Sequence, residues 1–167
     1  MDSVIAERVA AVQVKADEAI ERCGHSIMYI FPTEGDSLIT AFAYTVGLTE
    51  AGWPELVVQG LPAEYTEIIL NDLVGRCRKR EKPPERGEIF HEICNCPVTL
   101  GTVDEEYIEE NLGMSARRAA SKGLFELRAL QLIFPDKTGK FPREAGYDLA
   151  HMGRIQQCLA PGSKWDY

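Results

Sequence analysis

Apolar positions near the start of the chain recur at helical spacing. Ile5, Val9, Val12, Ala16 and Ala19 are separated by four, three, four and three residues, which places them on one side of a helix. The pattern predicts a helix over residues 3–23, started by Asp2 or Ser3 and closed by Gly24 in the left-handed conformation. Because the stripe has near-heptad spacing, it can serve as a face packed on the domain's own sheet or as a seam against a second copy. Arg8, Lys15 and Glu18 occupy the remaining surface. Packing on the sheet is expected, with a homodimer kept as the alternative.

The period then changes to that of strands. Ser26 to Phe31 is a β-rich run ending at Pro32, Thr33 to Ser37 supplies turn chemistry, and Leu38 to Val46 returns rich in β-branched and aromatic residues. A short buried strand, Glu55 to Gln59, follows Gly52-Trp53-Pro54 and stops at Gly60. Pro62 suits a first helical position, and Tyr65, Ile69, Leu73 and Cys77, with Ile68 beside them, predict a second helix to about Arg80. Strands are expected over 89–93 and 97–103. Asp104 should cap a short helix that Gly113 ends, Ser115 should cap another to about Lys122, and Phe125 to Phe134 reads as the last strand. The remainder reads as loop, with a turn of helix near Leu149 to Ile155.

Early strands joined by a hairpin favour an α+β fold: a mostly antiparallel sheet packed against two longer helices, with short helices before the last strand. No repeat or linker divides the chain. Its 167 residues suit a single domain, with 1–142 as core and 143–167 as a C-terminal tail packing on it. The tail has too few periodic apolar residues for a core of its own, so truncation at Arg143 is expected to cost little unless Tyr147, Leu149 and Ile155 pack back.

Composition narrows the function classes. At a net charge of −8 the chain is acidic, which disfavours a general electrostatic grip on nucleic acid or anionic lipid. Glu7, Arg8, Lys15, Asp17 and Glu18 interrupt any export signal, and Leu38 to Leu48 is too short to cross a membrane. A cytoplasmic protein is expected. Five cysteines with no export signal read as free thiols.

Three segments carry a resemblance: Phe42-Ala43-Tyr44-Thr45-Val46-Gly47-Leu48, then Trp53-Pro54-Glu55-Leu56-Val57-Val58-Gln59-Gly60-Leu61, then Leu130 to Asp136 followed by Gly139-Lys140-Phe141-Pro142. Their sequence and order resemble the bacterial and phage family known as domain of unknown function 4262, from about Gly24 to Pro142. The resemblance implies a common fold in a small cytoplasmic bacterial or phage protein, in the host cytoplasm if phage-encoded. It implies no reaction.

The candidate binding cluster is Tyr44 and Thr45 at a strand end, Trp53 and Glu55 at the start of the next strand, and Asp136 past the last one. If these strands neighbour one another, Glu55 and Asp136 could act as a general acid and base beside Tyr44 and Trp53. The alternative makes Trp53 and Pro54 structural and Asp136 an Asx-turn before Gly139. His91-x-x-Cys94-x-Cys96 has zinc-ligating residue types but lacks knuckle and deaminase spacing, so Cys94 and Cys96 read more simply as core thiols and no metal is assigned. The basic run Arg76, Arg78, Lys79, Arg80, Lys82 and Arg86 suits a helix C-terminus, and Glu81, Glu85 and Glu88 dilute it. There is no nucleophile elbow and no phosphate loop, so no catalytic residue and no cofactor are assigned. The expected function is a non-enzymatic binding or interaction protein, a phage or bacterial accessory factor with a protein partner. The alternative is a small hydrolase-like enzyme using Glu55 and Asp136 in a pocket with Tyr44 and Trp53.

Overall fold

The computed structural model describes residues 3–34 and 40–167. Helix α1 spans Ser3–Cys23 and ends at Gly24, whose φ of 79° supplies the left-handed closure. Strand β1 (Ser26–Ile30) pairs antiparallel with β2 (Phe42–Val46), and β2 with β3 (Glu55–Gln59). Helix α2 (Ala63–Lys79) leads to the antiparallel pair β4 (Ile89–Ile93) and β5 (Cys96–Thr102). Two short helices, α3 (Glu105–Asn111) and α4 (Gly113–Ser121), precede β6 (Ala129–Ile133), and α5 (Leu149–Met152) lies in the C-terminal segment. The predicted turn at 33–37 and the start of the strand predicted from Leu38 fall partly outside the described residues.

The strands form one six-stranded sheet in the order β1-β2-β3-β6-β5-β4. Its pairings are antiparallel except at its centre, where β3 and β6 run parallel with Glu55 opposite Ala129. The fold is therefore α+β with a mostly antiparallel sheet. Alternation along β2 and β3 divides the core between the two faces. Ala43, Leu56 and Val58 join α2 residues Leu70, Leu73 and Val74 on one side. Phe42, Tyr44 and Val57 join Ile108, Leu112 and Met114 of the α3–α4 region, with Ile20 of α1, on the other. The buried face of α2 is rotated relative to the predicted stripe: Tyr65 and Ile68 are exposed, while Thr66, Leu70 and Val74 are buried beside Ile69 and Leu73. Periodicity located the helix, but the orientation of its neighbours chose its inner face.

Three local expectations are corrected. Cys94 is no core thiol: it is exposed, and with Asn95 it forms the β4–β5 turn at φ 49° and 65°, the paired positive angles of a type I′ hairpin. Ser115 lies inside α4, where its hydroxyl donates to the Thr45 carbonyl oxygen at 2.9 Å instead of capping a helix. The strand expected over 125–134 contributes only Ala129–Ile133 to the ladder. By contrast, Asp104 does cap α3, accepting from the Glu106 amide.

The C-terminal segment is stitched to the sheet by buried amides. Gln156 bonds both the amide and the carbonyl of Phe134, at 2.9 and 2.8 Å. The Gln157 amide donates to Gln59 Oε1 at 2.7 Å and the Leu159 amide to Gln131 Oε1 at 3.1 Å. Met152, Leu159 and Ala160 are buried. Gly60, at φ 74°, lies so close to Ile155 that a Cβ there would sit 2.3 Å from the Ile155 carbonyl oxygen. Tyr147 also packs back, as the acceptor of a Gln156 bond, whereas Leu149 faces solvent.

Candidate functional site

The β2–β3 ladder closes at Tyr44, and side chains complete the connection beyond it. The Thr45 hydroxyl accepts from the Leu56 amide at 2.8 Å and donates to Glu55 Oε2 at 2.6 Å. The other Glu55 oxygen accepts from the amides of Gly47 and Thr49 at 3.1 and 3.0 Å and from the Thr49 hydroxyl at 2.9 Å. The carboxylate thus gathers the orphan donors of the turn that joins the two strands. Gly47, at φ 105°, turns its amide toward it, and a Cβ on Gly47 would come within 3.0 Å of Ile20. Burial pushes the Glu55 carboxyl above its ordinary range, while these hydrogen bonds pull against that shift.

Asp136 forms a second anchor. Its Oδ1 accepts from the Thr138 amide, the Thr138 hydroxyl and the Lys140 amide at 2.8, 2.7 and 3.1 Å. Its Oδ2 accepts from the Asp148 amide at 2.9 Å. The Thr138 hydroxyl bond and the three backbone bonds hold its carboxyl well below the usual range. This is the Asx-type turn among the sequence readings, extended to tie the C-terminal segment down.

The five candidate residues do not converge. Glu55 opens β3 beside Ala129, the first residue of β6, and the two strands run parallel. Ala129 to Ile133 spans about 13 Å at the usual rise of 3.3 Å per residue, and Asp136 follows still further on. Glu55 and Asp136 therefore sit toward opposite ends of the central strands. Tyr44 belongs to the core on the α3–α4 side, whereas Trp53 packs against the core on the α2 side. Thr45 alone touches Glu55. Tyr44, Thr45, Glu55 and Asp136 are buried, and Trp53 is half-buried. His91 and Cys94 are exposed, and among the described residues no group of three or more His, Cys, Asp or Glu side chains is placed to hold a metal ion.

A larger concave surface lies elsewhere among the described residues. A cleft of about 690 Å³ opens where the ends of β5 and β6 meet α3, with Pro54, Val103, Ile108 and Leu127 among its walls. It continues into a second hollow of about 530 Å³ between α3, α4 and the segment 124–128. The two share Glu105, Ile108, Leu127 and Arg128, so they form one groove. Phe125 stands on its wall at 87% exposure, and Arg128 is held by a bond from its guanidinium to the Gly52 carbonyl at 3.1 Å. Sequence reasoning assigned Phe125 and Leu127 to a strand and missed this groove. The available signal was a strand-like segment of ten residues, longer than the usual five or six, whose first half carries Glu126 and Arg128.

The chain thus has an α+β fold in which the carboxylates of Glu55 and Asp136 anchor loops and a groove lies beside the family-like Trp53-Pro54 segment. Residues 19–148 match the model of the family described as Domain of unknown function (DUF4262), and the chain belongs to that family. No curated protein and no solved structure matches it.

Proposed function

We propose that this chain is a non-enzymatic binding protein of the bacterial cytoplasm, or of the host cytoplasm if phage-encoded, and that it acts on another protein through the α3–α4 groove. The observation carrying this reading is the continuous groove with Phe125 exposed on its wall. Large apolar side chains on a concave surface, rimmed by charge, are a feature of protein-binding surfaces. The rim holds both signs, Glu105, Glu109 and Glu126 with Arg86 and Arg128, which suits a polypeptide segment more than a simple anion or cation.

The hydrolytic alternative has less support. It needs Glu55 and Asp136 at one substrate, yet each is saturated by local donors and the parallel β3–β6 pairing separates them. A photo-crosslinking residue placed at position 125 of the full chain, expressed in a bacterial host, tests the binding reading. A dominant covalent adduct with one protein is expected from position 125 and not from a control at exposed Glu81. Equal labelling from both positions, or none, would count against it. Turnover of a hydrolase substrate that Glu55→Gln abolishes without lowering the melting midpoint would favour the enzyme instead.

A further inference from the structure

A second concavity, sharing no lining residue with the α3–α4 groove, lies between α1, β1 and α4. It encloses about 390 Å³, within the roughly 300–1,000 Å³ of small-molecule sites. Its apolar walls are Val9 and Val12 of α1, Met28 and Ile30 of β1, and Met114 of α4. Only the last third of α1 is packed down, through Ala16 and Ile20. Residues 3–15 are exposed, so Val9 and Val12 overhang the sheet rather than sealing it.

One end of this groove is built for negative charge. Its lining contains two guanidiniums, Arg8 and Arg117, and no carboxylate, in a chain whose net charge is −8. The N-terminus of α4 lies here, with Gly113 and Met114 in the wall and no side-chain cap, so the positive pole of the helix is at this end. Tyr44 lies at the same end, 3% exposed. Its oxygen accepts from the Met114 amide at 3.4 Å, and its own proton has no acceptor among the described residues. Burial raises the pKa of this phenol, so it remains a donor at neutral pH. The Arg117 Nε donates to the Gly113 carbonyl at 3.3 Å, which holds the guanidinium beside the helix start.

We propose that this groove binds a free amphipathic carboxylate of medium chain length: the head meets Arg117 and the Tyr44 hydroxyl beside the start of α4, and the tail lies between Val9, Val12, Met28 and Ile30. Arg8, Val9 and Val12 precede the residues covered by the family model, so half of the tail site is supplied by a part of this chain outside the family region. A second copy of α1 fits the groove less well. Along the stripe Arg8, Lys15 and Arg22 fall at equivalent heptad flanks, and two such helices running antiparallel would bring like charges together.

The test uses the full chain and decanoate below its micelle concentration, with decyltrimethylammonium and decanol as controls. Calorimetry and methyl NMR on Met28, Ile30 and Met114 report binding. Saturable decanoate binding is expected, at least tenfold tighter than the ammonium analogue, with shifts confined to those methyls. Arg117→Met should weaken decanoate about tenfold and leave decanol unchanged; Arg117 is exposed, so the variant should keep the wild-type melting midpoint. Tyr44→Phe should weaken decanoate severalfold. No saturable binding, equal affinity for the cationic analogue, or an unchanged affinity in Arg117→Met would each overturn the proposal. So would a stable dimer that Val9→Asp converts to a folded monomer, because the groove would then be filled by a second chain.

Discussion

Glu55 concentrates four donors on one buried carboxylate, two of them backbone amides of the β2–β3 turn. Removing the acceptor leaves those donors without partners, at about 1–3 kcal/mol for each one that water cannot reach. Glu55→Ala is therefore expected to destabilise the protein by about 3 kcal/mol or more, read as the shift in urea midpoint. Glu55→Gln keeps one acceptor oxygen and should cost less. The pH dependence has a definite sign. The folded-state pKa lies above the ordinary 4.5, so the folded protein binds the proton more tightly than the unfolded chain. Stability from this group is complete below about pH 4.5 and declines as pH rises through the folded value. Melting midpoints from pH 4 to 8 should show wild type losing ground to Glu55→Gln as pH rises; a constant or opposite difference would contradict the assignment. Asp136 behaves in the opposite sense. Its lowered pKa gives a contribution that is present above the ordinary 3.8 and lost as pH falls below it. Asp136→Asn should speed hydrogen exchange at the Thr138, Lys140 and Asp148 amides, with little change at Gly47 and Thr49.

At the scale of elements, the C-terminal segment and α1 depart in opposite directions from what their sequences suggest. The segment after Pro142 has a weak apolar pattern, yet Gln156 holds the backbone of Phe134 just past β6, and the Gln157 and Leu159 amides donate to buried Gln59 of β3 and Gln131 of β6. Truncation at Arg143 would expose Met152's neighbours and leave the Gln59 and Gln131 side chains short of partners inside the sheet. The truncated chain is expected to lose its cooperative thermal transition or melt more than about 10 °C lower, the order of a 3–5 kcal/mol loss in a domain of this size. Retention of the wild-type midpoint would show the segment to be dispensable. Helix α1, with the strongest periodic stripe, buries little of it: Ile5, Val9 and Val12 are between 41% and 52% exposed. Val9→Asp should consequently leave folding intact, with a midpoint change within about 0.5 kcal/mol; unfolding of a monomeric variant would show that the stripe is packed. The inner end of α1 is fixed differently, by Arg118 of α4 bridging Asp17 at 2.8 Å and Glu50 at 2.5 Å.

At the scale of the molecule, no three of the described thiols, imidazoles and carboxylates are grouped to hold a metal ion: Cys77 is buried on the inner face of α2, Cys94 is exposed in the hairpin turn, and His25 pairs with Asn71 at 2.8 Å. Treatment with EDTA is expected to leave the melting curve unchanged. Stoichiometric zinc by elemental analysis, together with unfolding by chelator, would reverse that expectation. Much of this architecture was legible along the chain. Helices α1 and α2, strands β3 and β4, the Asp104 cap and the α+β class all follow from period, caps and breakers, because each depends on residues within a few positions of one another. The pairing of β3 with β6 was not legible, since it joins segments more than seventy residues apart and its parallel direction has no local signal. That one pairing sends Glu55 and Asp136 to opposite ends of the sheet and turns a plausible acid–base pair into two separate loop anchors. The same limit applies to the grooves. A side chain's type is written in the sequence, but whether Phe125 or Val9 is covered depends on which distant element lies over it, and only the packed structure decides that.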